Sequence, residues 1–200
     1  MIRCFLALSI MLLALRFAVA AEPEKPKLVR IVIETEKGDI EVDLDAGKAP
    51  LSVANFLRYV DEAFYDGGRF HRTVTPKNQP DDKVKIEVVQ AGINPKKAKD
   101  EFPSIKLERT DKTGLAHKDG VISMARNGPD TATSDFFICI GDQPELDFGG
   151  KRNPDGQGFA AFGQVVKGMD VVKIIQAAPA DKQTLDPPVK IVKITRKRSQ

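Results

Sequence analysis

Val29-Arg30-Ile31-Val32-Ile33-Glu34-Thr35, the turn Glu36-Lys37-Gly38-Asp39, and Ile40-Glu41-Val42-Asp43-Leu44-Asp45 set the architecture. On each side of the turn, apolar residues alternate with charged or polar ones. A period of two puts Val29, Ile31 and Ile33 on one face of a half-buried strand, and Ile40, Val42 and Leu44 on one face of another. The pair predicts an antiparallel hairpin. Pro50 then fits the first position of a helix, where its missing N–H costs nothing. Val53, Phe56, Leu57 and Val60 follow at helical spacing, and Tyr65-Asp66-Gly67-Gly68 ends the element.

Further on, Val84, Ile86 and Val88 alternate again, and short apolar runs occupy Val121–Ala125, Phe136–Ile140 and Phe159–Val166. Gly168-Met169-Asp170 opens a second helix with Met169, Val172 and Ile175 on one face. Pro187-Pro188 precedes a last strand, Val189–Thr195. Thr75–Lys83 is polar, carries two prolines, and predicts an exposed loop whose deletion would leave stability nearly unchanged. Seven or eight short strands and two short helices, without a βαβ rhythm, predict a closed or sandwich-like all-β architecture.

Of 200 residues, 30% are charged and 42% hydrophobic, which excludes a disordered chain and a polytopic membrane protein. The net charge of +3, the absence of Trp and the single short basic run Arg196-Lys197-Arg198 give no footing for nucleic acid. Arg3, the apolar run Phe5–Ala20 and the small-x-small pattern Ala18-Val19-Ala20 predict a signal peptide over 1–20, cut near Ala20 or Ala21. A flexible leader over 21–28, a folded domain over 29–196 and a basic tail over 197–200 follow. The expected product is an exported monomer, periplasmic or secreted, with no stable membrane insertion after cleavage. It keeps one cysteine, Cys139, expected to be a buried inert thiol.

Most catalytic patterns are missing. His71 and His117, without a cysteine pair, do not suggest a metal site, and no cofactor is expected. Gly149-Gly150-Lys151 is followed by Arg152, so it is no phosphate loop. Asn153-Pro154-Asp155-Gly156 reads as a turn. Ser52, Ser123 and Ser134 have no His or acid at nucleophile-elbow spacing.

The informative words come in order: Phe70-His71-Arg72, Gln90-Ala91-Gly92, Gly120-Val121-Ile122-Ser123-Met124-Ala125-Arg126, Thr131-Ala132-Thr133-Ser134-Asp135-Phe136-Phe137-Ile138 and Ala161-Phe162-Gly163-Gln164-Val165-Val166-Lys167-Gly168-Met169. They resemble the cyclophilin family of peptidyl-prolyl cis-trans isomerases over about residues 29–196. The resemblance implies a closed eight-stranded antiparallel β-barrel capped by two α-helices, and proline-containing polypeptides as partners. It implies Arg72 as the catalytic arginine, Gln90 as the residue holding substrate beside it, and Phe137 as the floor of the proline pocket. Val88, Met124, Ala125, Leu146 and Phe159 are implied as pocket lining.

The chain also departs from the family's pattern. Glu87 stands where a pocket phenylalanine is expected, Asp135 replaces a second glutamine, Glu145 a common tryptophan, and Phe159 a histidine or tyrosine. The segment Thr73–Ile86 is longer than in the family. Two functions are therefore weighed: an isomerase of weakened activity with Glu87 in its pocket, and a non-catalytic barrel that binds proline peptides.

Overall fold

The computed structural model describes residues 27–197, so the predicted signal peptide and most of the leader and tail lie outside the described residues. The hairpin forms as its alternation requires. β1 (Leu28–Thr35) pairs antiparallel with β2 (Gly38–Asp45), with Ile31 opposite Val42 and Ile33 opposite Ile40. These four apolar residues are fully buried.

Six further strands complete a ring: β3 (Arg69–Val74), β4 (Val88–Gly92), β5 (Val121–Met124), β6 (Phe136–Cys139), β7 (Ala160–Lys167) and β9 (Thr184–Arg196). Around the ring the order is β1-β2-β7-β5-β6-β4-β3-β9, and β9 returns to pair with β1. The all-β, eight-stranded antiparallel barrel is thus closed, and closure leaves no free edge. A two-residue β8 (Ala180–Asp181) folds back on the start of β9.

Two helices pack on the barrel. α1 (Pro50–Asp61) begins with Pro50 in its first turn and lays Val53, Phe56, Leu57 and Val60 over β2, β7 and β9. Phe56 meets Tyr65, Phe136 and Phe162 at ring-centroid distances of 5.1, 5.4 and 5.3 Å. α3 (Met169–Gln176) buries Val172 and Ile175 against β2, β3 and β4. A single helical turn, α2 (Thr110–Thr113), lies in the long aperiodic stretch before β5.

One expectation about residues 75–88 needs correction. Val84 and Ile86 do not join a strand; pairing starts at Val88. The Gln79 amide occupies the Ile86 backbone instead, its Nε2 donating to the Ile86 carbonyl at 2.7 Å and its Oε1 accepting from the Ile86 N–H at 3.3 Å. Thr75–Lys83 lies outside the strands as an exposed loop, as expected, but it is tied down at one residue. Pro76, Lys77 and Pro80 to Lys83 are exposed, but Gln79 is only 1% exposed and also donates to the Thr75 carbonyl. Its backbone satisfies itself by folding back through one buried amide.

Candidate active site

Strand register assembles the site. On the β3–β4 ladder Arg72 stands opposite Gln90, on β4–β6 Gln90 opposite Phe137, and on β5–β6 Phe137 opposite Ser123. Residues directly opposite each other share a face of the sheet. Arg72, Gln90 and Phe137, far apart in sequence, therefore form one row across three adjacent strands. The next row holds Val74, Val88 and Cys139.

These rows floor a cleft of about 470 Å³. Arg72, Ile86, Val88, Gln90, Ala125, Asp135, Phe137, Leu146 and Phe159 line it, and Glu101, Arg126, Thr131 and Arg152 stand at its margins. Beneath it Val74, Ile86, Val88, Phe137, Cys139 and Leu146 form an apolar cluster separate from the main core, with Ala125 and Phe159 packed against it. Phe159 stands edge-on to Phe137, with centroids 5.3 Å apart. Arg126 anchors that side, with Nε on the Gly158 carbonyl and a two-point ion pair to Asp155.

The polar wall is fixed by hydrogen bonds. Arg72 Nη1 donates to Gln90 Oε1 at 3.0 Å, and Gln90 Nε2 donates to Asp135 Oδ2 at 3.1 Å. A carboxylate only accepts, so Asp135 turns the Gln90 oxygen toward Arg72. A Cβ on Gly92 would lie 2.2 Å from Asp135 Oδ1, so this contact needs glycine there. Burial raises the Asp135 pKa, and the facing His71, 3.5 Å away, opposes that shift. Burial, with the neighbouring Arg152 charge, lowers the Arg72 pKa. A guanidinium starts high enough to keep its proton throughout the physiological range.

Two predicted lining residues are elsewhere. Met124 pairs with Phe136 and Ala160, the row facing the barrel interior, and is 1% exposed within the main core. Glu87 is not in the cleft. Gln90, Val88 and Ile86 point one way along an extended chain, and Glu87 points the other. Its carboxylate accepts from Gln176 Nε2 of α3 at 3.1 Å. Ile86 stands in the cleft wall instead, which the period-two rule counted back from Gln90 could have shown. Glu145 is also outside the cleft; its carboxylate accepts from the Lys151 N–H at 2.8 Å.

The fold also joins residues that spacing had kept apart. Asp147 Oδ1 lies 2.7 Å from His117 Nδ1, and His117 Nε2 lies 2.9 Å from Ser123 Oγ. Ser123 is fully buried and His117 1% exposed, under the stacked face of Phe137. With His117 and Ser123 sealed from any substrate, the chain of bonds is a polar prop for the cleft floor. Burial pushes the Asp147 pKa up, and the bonds from His117 outweigh it, leaving the carboxyl below its ordinary value. Cys139 is fully buried, and burial raises its thiol pKa far above normal.

Residues 30–196 match the family model described as "Cyclophilin type peptidyl-prolyl cis-trans isomerase/CLD". A peptidyl-prolyl cis-trans isomerase of Acinetobacter baylyi is 34% identical over 170 residues, covering 82% of this chain and 83% of that protein. Peptidyl-prolyl cis-trans isomerase A of Dickeya dadantii is 40% identical over 142 residues, covering 70% and 67%. A solved cyclophilin-type isomerase of Cryptosporidium parvum superposes with a TM-score of 0.69 at 20% identity, over 86% of this chain and 99% of that one, a likeness of fold.

Proposed function

The chain belongs to the cyclophilin-type peptidyl-prolyl cis-trans isomerases, and from that premise we propose that it isomerises X–Pro bonds of exported polypeptides through Arg72, Gln90 and Phe137, with weakened turnover. The observation that carries the assignment of residues is the register row joining Arg72, Gln90 and Phe137 at the cleft floor.

Rotation about an X–Pro bond must break amide resonance, a barrier of about 20 kcal/mol. In the twisted state the prolyl nitrogen pyramidalises and regains a lone pair. An Arg72 N–H donates to that lone pair, a bond that exists only in the twisted state and so accelerates the step. The proline ring rests on Phe137 among Ile86, Val88, Leu146 and Phe159. Gln90 holds the substrate backbone beside Arg72. No bond to the protein forms and no proton is transferred.

Turnover is weakened because the wall at Ile86 is aliphatic and smaller than the family's phenylalanine, and because Asp135 engages the Gln90 amide. The binding-only reading is separated from this one by a protease-coupled assay with a proline tetrapeptide. A charge-assisted hydrogen bond is worth about 1.5–3 kcal/mol, so Arg72→Ala should lower kcat/KM about ten- to a hundredfold. Equal rates for wild type and Arg72→Ala would leave a barrel that binds without catalysing.

Export rests on the apolar run Phe5–Ala20 and on Ala18-Val19-Ala20. N-terminal sequencing of the protein from its host should start at Ala21 or Glu22. A start at Met1 would overturn it.

A further inference from the structure

Arg72 is held from behind by a residue outside the row. Gln183 Oε1 accepts from Arg72 Nε at 2.9 Å and from Nη2 at 2.6 Å. Gln183 sits in the two-residue turn between β8 and β9, where Lys182 at φ 55° reverses the chain. The turn lies along β3: Thr184 pairs with Arg72, and the Thr73 N–H donates to the Gln183 carbonyl at 2.9 Å. The Gln183 amide is itself oriented, because its Nε2 donates to the Asn78 carbonyl at 3.1 Å. Asn78 ties the turn to β3 by donating from Nδ2 to the carbonyls of Thr73 and Lys182, each at 2.9 Å.

We propose that Gln183 is a positioning residue for isomerisation: it fixes the Arg72 guanidinium against β3 and, with Gln90, leaves two of its five N–H groups to face the substrate nitrogen. The proposal rests on Arg72 being the donor. An arginine free to sample its rotamers would present those N–H groups only part of the time. A donor that must meet a lone pair existing only in the twisted state gains most from being held in advance. The inserted segment, through Asn78, is then scaffold for the catalytic arginine.

The test is a double-mutant cycle on the full chain, read by steady-state isomerisation of a proline peptide. Gln183→Met keeps the bulk of the side chain and removes the acceptor, on a partly exposed turn where folding is not at stake. It should lower kcat about tenfold with KM within about twofold, since Gln183 does not touch substrate. In an Arg72→Ala background the same change should alter the rate less than about twofold. Gln183→Glu, which keeps the acceptor, should restore kcat to within about threefold of wild type. By NMR, exchange of the Arg72 Nε–H with water should quicken in Gln183→Met. Equal losses in both backgrounds, no loss while Arg72→Ala is impaired, or unchanged exchange would each overturn the proposal. An unimpaired Arg72→Ala would remove the donor assignment itself, a separate result, and the role of Gln183 with it.

Discussion

Truncating Ile86 to alanine should weaken substrate binding and spare the rate of the bound complex. Ile86 is 6% exposed and stands in the cleft wall beside Val88, Phe137 and Leu146. Isoleucine to alanine removes three carbon groups, about 0.8 kcal/mol each when buried, or about 2.4 kcal/mol together. Ile86 itself is already buried, so the binding share is the face of the proline ring left uncovered, about 40 Å² at about 25 cal/mol per Å², or about 1 kcal/mol. That is about fivefold in kcat/KM. The wall touches the ring alike in the planar and twisted states, so the loss falls on KM. The lost burial of Ile86 itself, about 2.4 kcal/mol, appears as stability and lowers Tm by about 5–10 °C for a chain this size. Glu87→Phe is the control. If its side chain filled the cleft, phenylalanine there would restore the family's pocket and raise turnover. Because Glu87 bonds to Gln176 of α3, no gain is expected. Kinetics with one proline tetrapeptide and thermal unfolding of both variants decide the matter. A severalfold gain from Glu87→Phe, with Ile86→Ala neutral, would refute the placement of both residues.

Three more outcomes follow from the structure. Asp135 has a folded pKa raised by burial, so its ionisation opposes folding as pH climbs from the unfolded carboxyl value through the folded one; Asp135→Asn should raise Tm at pH 7 and make no difference near pH 3. Removing residues 76–83 breaks the Gln79 clasp on Ile86, the Arg152 bond to Gln79 and the Asn78 bonds to the Thr73 and Lys182 carbonyls. It should cost about 2 kcal/mol and about 4–8 °C in Tm, by thermal unfolding, where a free loop would cost nothing. Cys139 should resist a thiol reagent in the native protein and react at once in denaturant, because burial hides it and disfavours the thiolate.

The β character, the first hairpin and both long helices were legible because they are local. Alternation along Val29–Leu44 and helical spacing from Val53 to Val60 need only neighbours in the chain. Arg72, Gln90 and Phe137 were legible as words, and register sets them in one row at the cleft floor. Closure and register belong to tertiary structure, because a strand's partner and offset are set by contacts between segments far apart in sequence. Register sends Met124 into the core and its neighbour Ala125 to the cleft. It joins His117, Ser123 and Asp147, which spacing kept apart. The Glu87 placement came from aligning words across a lengthened segment, whereas period two counted back from Gln90 was present in the sequence and pointed to Ile86. Gln183 carried no signal at all: a glutamine in a polar turn acquires a role only when β9 closes the barrel and brings that turn against Arg72.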